Sequence, residues 1–132
     1  MFIKELRLPT IPVELEYQIW ELVNATPVGY QWITVNSNLK DWCNQNICPS
    51  THWGVQLIKL DLPLHRDAAS QVKINYLLDT GGDAVTNFYD NDKLIDTVIC
   101  KPRTWYIMKT DQLHEVLNIT GTRVSLAGKV FP

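Results

Sequence analysis

The sequence predicts a mainly β domain, a sandwich or barrel of short strands with one α-helix near its N-terminus. Three observations carry this. After Pro27, short apolar-rich runs recur, broken by Gly, Asn, Asp and Pro. Turn-forming pairs, Gly81-Gly82 and Thr120-Gly121, fall between such runs. Near the start, PVELEYQIWELVN has a helical period instead.

The helix is expected over 12–24. Pro12 suits a first helical turn, and Leu15, Ile19, Leu22 and Val23 share one face. Strands are expected at 30–35, 54–61, 72–78, 84–89, 94–100, 104–108, 112–118 and 123–130. The polar stretch 36–51 reads as a loop with at most one helical turn. Gly81-Gly82 separates strand 72–78 from the next strand. Thr120-Gly121 reads as a hairpin that pairs the strand carrying His114 with the strand carrying Arg123. Strand alternation puts Lys73, Asn75 and Leu77 on one face of 72–78, and Ile74, Tyr76 and Leu78 on the other.

The 132 residues are expected to form one domain, with 54–130 as its β core and 1–50 as a helix-and-loop elaboration. The chain is 45% hydrophobic and 20% charged, as soluble globular proteins are. A formal net charge of −2 argues against a protein that tracks nucleic-acid phosphates. MFIKELRLPTIP lacks the apolar segment and cleavage site of a signal peptide, and no apolar run approaches the about 20 residues of a membrane helix. Cys43, Cys48 and Cys100 are an odd count without a CxxC pair, and read as reduced thiols of a cytoplasmic protein.

The chemistry is concentrated in His65-Arg66-Asp67, followed by His114. On a strand, residues i and i+2 point to one face, so His65 and Asp67 project together while Arg66 points away. Two imidazoles and one carboxylate can occupy one triangular face of an octahedral metal, the ligand set of non-haem Fe(II) oxygenases. HxD by itself is weak, because a surface His beside a solvated Asp is common. Arg123 and Ser125 add to it. An inward guanidinium with a hydroxyl two residues on can hold a carboxylate at the far end of a chelating diacid.

The order HxD, then His, then RxS resembles the Fe(II)/2-oxoglutarate-dependent dioxygenases. The segments KINYLLDTGGDAVTNFYD and WYIMKTDQLHEVLNITGTRVSL are similar to small bacterial and phage members, and to the aspartyl/asparaginyl β-hydroxylase-like and prolyl hydroxylase-like branches. The resemblance covers roughly residues 54–130. It implies a double-stranded β-helix (a jelly-roll, cupin-like fold) in the cytoplasm of a bacterium or a phage-infected host. It implies that His65, Asp67 and His114 bind Fe(II), that Arg123 pairs with the distal carboxylate of the cosubstrate 2-oxoglutarate, and that Ser125 assists. Asn75 facing the interior would contact the cosubstrate, with Tyr76 in its place under the opposite register.

The implied reaction uses O2, decarboxylates 2-oxoglutarate to succinate and hydroxylates a small molecule or an amino-acid side chain. The β-hydroxylase branch lacks the carboxylate ligand, so Asp67 sets this chain closer to the general facial-triad enzymes. It also argues against halogenation, which needs a small residue there. Alternatives are a non-catalytic jelly-roll module that binds a metal or other ligand, and a cupin-type metal enzyme. Thr86, Asn87 and Phe88 are candidates for the pocket wall. Glu115 is expected to point outward, Trp105 to sit in the core, and Trp32 and Trp42 to be core or lid aromatics.

Overall fold

A computed structural model of the chain describes residues 2–26, 32–50, 52–67 and 72–130. In chain order the elements are β1 (Ile3–Leu6), α1 (Val13–Ala25), β2 (Trp32–Thr34), α2 (Ser37–Asn46), β3 (His52–Ile58) and β4 (Leu62–His65). There follow β5 (Val72–Thr80), β6 (Val85–Asp90), β7 (Lys93–Val98), β8 (Trp105–Met108), β9 (His114–Leu117) and β10 (Arg123–Val130). The strands form two antiparallel sheets, one ordered β1-β8-β5-β10-β3-β2 and the other β4-β9-β6-β7. From β4 onward, each strand lies in the opposite sheet from its predecessor, except that β7 follows β6 in the same sheet.

That winding corrects one expectation. β9 does not pair with β10; it pairs with β4 and β6, while β10 pairs with β3 and β5. The segment between β9 and β10 spans 118–122, long enough to cross the about 10 Å between stacked sheets. Gly81-Gly82 likewise precedes a change of sheet, from β5 to β6. The tight hairpin lies elsewhere, at Asn91-Asp92 between β6 and β7. Both residues have positive φ, 48° and 64°, as a type I′ turn requires.

Three further differences have local causes. Residues 37–46 form a full helix, not a loop with one turn. Asn36 caps it by accepting a hydrogen bond from the Leu39 N–H at 3.0 Å, and Leu39 and Cys43, one turn apart, are buried. The run 54–61 ends its strand at Ile58, and the chain turns into β4, an edge strand that tolerates Pro63. β1, which pairs with β8, has too few apolar residues to read as a strand. Residues 30 and 31 of the expected strand 30–35 lie outside the described ranges.

Alternation along β5 produces two cores. Ile74, Tyr76 and Leu78 join Val124, Leu126, Trp53, Val55 and Trp105 on the outer face of the larger sheet, where Ile19 of α1 and Leu39 and Cys43 of α2 cover them. Polar tips in this layer are satisfied: Trp105 Nε1 donates to the Pro9 carbonyl at 2.8 Å, and Trp53 Nε1 to Asn44 Oδ1 at 2.7 Å. Arg103 forks onto Glu16 of α1 at 2.9 and 3.1 Å. Leu77 points the other way, into a smaller apolar cluster with Phe88, Cys100, Tyr106, Met108 and Ile3 between the sheets. The rest of that inner space is lined by both polar and apolar side chains. Among the described residues, no helix is long and apolar enough to cross a membrane.

One end of the sandwich is closed by stacked turns. The Gly81 carbonyl accepts from the Thr120 and Gly121 N–H groups at 2.9 and 3.3 Å, and Asp61 Oδ1 accepts from the Ile119 N–H at 2.8 Å. Gly81 has φ 73°, and a Cβ there would lie 2.9 Å from Arg123 Cβ. Gly81→Ala is therefore expected to destabilise the fold by about 1–3 kcal/mol, through backbone strain and the clash. Urea unfolding of the two proteins measures it; an unchanged midpoint would refute the close packing behind Arg123.

Candidate metal centre

His65 ends β4 and faces His114, the first residue of β9, in antiparallel register. Their rings lie 4.2 Å apart, and His114 stacks on Phe88 of β6 at 5.1 Å. The expectation that Asp67 shares a strand face with His65 is changed in detail, because β4 stops at His65. Asp67 is placed instead by its backbone N–H, which donates to the Thr110 carbonyl at 2.8 Å. Its Oδ1 lies 3.3 Å from His65 Nε2 and 3.8 Å from His114 Nε2. One potential ligand atom from each of the three residues falls within 4.8 Å of the others. Ligands about 2.1 Å from an ion and at right angles sit about 3 Å apart, so a small contraction would close the site.

The backbone sets the tautomers. His65 Nδ1 lies 2.8 Å from the Pro63 carbonyl, and His114 Nδ1 lies 2.7 Å from the Gln112 carbonyl. A carbonyl only accepts, so each Nδ1 carries a proton, and in the neutral ring Nε2 is the atom left to present a lone pair. Burial, the main cause, pushes the His114 imidazole below its ordinary pKa and favours the neutral form. Two lone pairs and a carboxylate oxygen then converge on one point. With both rings neutral, these are three acceptors without a donor, an arrangement that a cation among them relieves.

The triad opens a polar cavity of about 200 Å3 between the sheets. His65 and Asp67 are partly exposed at its mouth, with side chains 35% and 26% accessible. At the far end Arg123, the first residue of β10, is 3% exposed, and Ser125 is 2% exposed. Arg123 Nη2 donates to Thr86 Oγ1 of the facing sheet at 3.5 Å, and Nη1 is buried without a hydrogen-bond partner among the described residues. Thr86 and Phe88 share a face, so the guanidinium lies about 7 Å along the strand from the level of His114. Burial lowers the Arg123 pKa, while the neighbouring Cys100 opposes that shift. Burial also raises the Cys100 thiol, which keeps it a neutral neighbour of the guanidinium.

Asn75 lines the cavity as expected, 8% exposed, with Oδ1 unpartnered among the described residues. Tyr76 faces the outer core and accepts from the Ile11 N–H at 3.3 Å. Of the three wall candidates, Thr86 lines the cavity and Phe88 backs His114. Asn87 points outward, where its Nδ2 donates to Glu115 Oε2 at 2.9 Å. Glu115 points outward as expected, and Tyr89 also donates to it. Trp105 is core, Trp42 packs against that core, and Trp32 lines the cavity.

Sequence reasoning did not single out Lys73, Lys129 and Gln56, which also line the cavity. Strand parity could have found both lysines. Lys73 shares a face with Asn75, and Lys129 shares one with Arg123 and Ser125.

The chain is expected to bind one divalent ion, measured by calorimetry with Mn(II) or Fe(II) under anaerobic conditions. Asp67→Ala and His114→Ala should each weaken binding by more than about 100-fold, beyond what loss of a supporting hydrogen bond costs. Unchanged affinity in both variants would show that the ion sits elsewhere. No protein-family model matches the sequence, and no curated protein is significantly similar to it.

Proposed function

We propose that this protein is an Fe(II)- and 2-oxoglutarate-dependent oxygenase, and that its two sheets are a double-stranded β-helix. The alternation of β3–β10 between the sheets, interrupted only at β6–β7, supports the fold reading. The observation that carries the functional reading is Arg123 Nη1, which has no hydrogen-bond partner among the described residues and is buried in the same cavity as the His-Asp-His triad. An unsatisfied buried donor costs about 1–3 kcal/mol, more when charged, and a carboxylate satisfies it with a charge-assisted bond. A five-carbon diacid that chelates an ion at one end places its other carboxylate at that depth.

Each residue then has a role. His65 Nε2, Asp67 and His114 Nε2 hold the ion on one face, and the two backbone carbonyls keep both rings in the ligating tautomer. Arg123 pairs with the distal carboxylate, held by Thr86 and flanked by Ser125. Asn75 offers either end of its amide, because a half-turn exchanges Oδ1 for Nδ2. Ile58, Leu62, Met108 and Val116 line the same space and limit water around the ion. When bound, iron and 2-oxoglutarate supply the oxidising chemistry: O2 is reduced, 2-oxoglutarate is decarboxylated to succinate, and hydroxylation of a substrate C–H bond is the default outcome.

The test is metal-dependent binding of 2-oxoglutarate, followed by succinate formation in air. Arg123→Leu should raise the Kd for 2-oxoglutarate about 100-fold, equivalent to about 2.7 kcal/mol, and leave metal affinity near wild type. Metal binding without any 2-oxoglutarate binding would favour the non-catalytic module instead. Binding without succinate would make the protein a sensor of the acid.

A further inference from the structure

The cavity carries more positive charge than iron and 2-oxoglutarate require. Among the described residues its lining holds Arg123, Lys73 and Lys129, against a single carboxylate, Asp67. A divalent ion and a dianionic cosubstrate offset each other, and Asp67 offsets one cation. Two positive charges remain. Arg123 has the cosubstrate to hold, so the surplus belongs to the lysines.

Their position is specific. Lys73 of β5 and Lys129 of β10 are direct cross-strand partners, at the opposite end of that strand pair from Arg123 and Thr80. Like charges facing each other across a ladder are destabilising. Neither lysine forms an ion pair among the described residues. Lys73 Nζ donates to Gln56 Oε1 at 3.0 Å, a neutral acceptor. Lys129 Nζ lies 5.3 Å from the centre of the Trp32 ring.

The Trp32 ring is itself seated by design of the backbone. A Cβ on Gly54 of β3 would fall 2.2 Å from Trp32 Cε2, so the indole lies flat on a strand that only glycine leaves bare. This brings an aromatic face, two ammonium groups and the Gln56 amide to one side of the cavity; Trp32 and Gln56 lie in register with Ser125, and the backbone of the lysine pair lies farther along the strands from Arg123.

We propose that Lys73 and Lys129, with Trp32 as an aromatic wall, form a second anion subsite that holds the carboxylate of the substrate, a small organic acid such as a free amino acid. This rests on the reading of the cavity as an iron and 2-oxoglutarate site. The two ammonium groups compensate a carboxylate charge, and Trp32 packs against the carbon skeleton beside it. The cavity of about 200 Å3, once shared with 2-oxoglutarate, admits a small skeleton and excludes a bulky one.

The test holds the cosubstrate site with Mn(II) and N-oxalylglycine, an unreactive analogue of 2-oxoglutarate. The loaded protein is titrated with the proteinogenic L-amino acids and with linear monocarboxylates from acetate to hexanoate, each beside its carboxamide. Inorganic phosphate and a capped glutamyl peptide are separate arms. Binding is read by ligand-observed NMR and by tryptophan fluorescence, with Trp32→Phe as control. At least one free acid should bind about tenfold or more tightly than its amide. Lys73→Met and Lys129→Met should each weaken that acid by about tenfold, with Lys129→Arg restoring most of it, while 2-oxoglutarate affinity changes less than about threefold.

Equal binding of acids and amides overturns the proposal. So does a preference for phosphate, or for the glutamyl peptide over every free acid. Lysine variants that weaken 2-oxoglutarate as much as the acid also overturn it, by assigning the pair to the cosubstrate. If N-oxalylglycine itself does not bind, the oxygenase reading has failed separately. The acids are then titrated against the Mn(II) protein, where the same lysine dependence is required.

Discussion

Alternation of side chains along β5 and β10 is the constraint on which the rest of the molecule depends. Each strand sits mid-sheet and is buried on both faces, yet the faces are chemically opposite. One face of β5 presents Ile74, Tyr76 and Leu78 to the layer under the helices; the other presents Lys73, Asn75 and Leu77 to the space between the sheets. Along β10, Val124 and Leu126 take the outer face while Arg123, Ser125 and Lys129 line the cavity. A slip of one residue in either strand would bury the polar set against the helices and turn the apolar set into the cavity. The outer core therefore fixes the register, and the register places the cations.

The inner face is costly, and that cost is informative. Burial disfavours the charged forms of both Lys73 and Arg123, although Asp67 draws the lysine the other way. A protein that needed only stability would fill this space with apolar residues, as it does around Phe88 and Leu77. Converging imidazole lone pairs at the mouth add a second unfavourable arrangement. Under the proposed reading both would be relieved by charges of opposite sign, a cation at the triad and anions beside Arg123 and the lysines. Ligand binding and folding stability are thus coupled, because whatever binds the native cavity also stabilises it.

Much of this was legible in the sequence, and the failures share a cause. Period-two alternation located most strands and put Asn75 opposite Tyr76. It also oriented Glu115 outward, where Asn87 and Tyr89 hold its carboxylate. Pairing was not legible. Thr120-Gly121 reads as a hairpin by local chemistry, but whether a turn closes a hairpin or crosses to another sheet is decided by where the next strand finds a partner. Asn91-Asp92, the turn that does close a hairpin, carries no glycine. The second helix was hidden because a sheet-covering helix needs only a narrow apolar stripe, here Leu39 and Cys43, in an otherwise polar segment. At the site, the ligand types were readable, but the placement of Asp67 by the Thr110 carbonyl depends on a contact 43 residues away.

The two ends of the cavity are built to different standards of rigidity. Arg123 is enclosed by the Gly81 turn behind it, Thr86 ahead and Cys100 beside it, so its guanidinium is placed before any ligand arrives. Preorganisation of that kind suits a partner that never varies. Lys73 and Lys129 are held by one amide and one aromatic face, with long side chains that can adjust. An adaptable pair suits the variable partner. Under the proposed reading, a fixed Arg123 end and an adjustable lysine pair imply an order in which the cosubstrate binds first, while the space beside the lysines is still open.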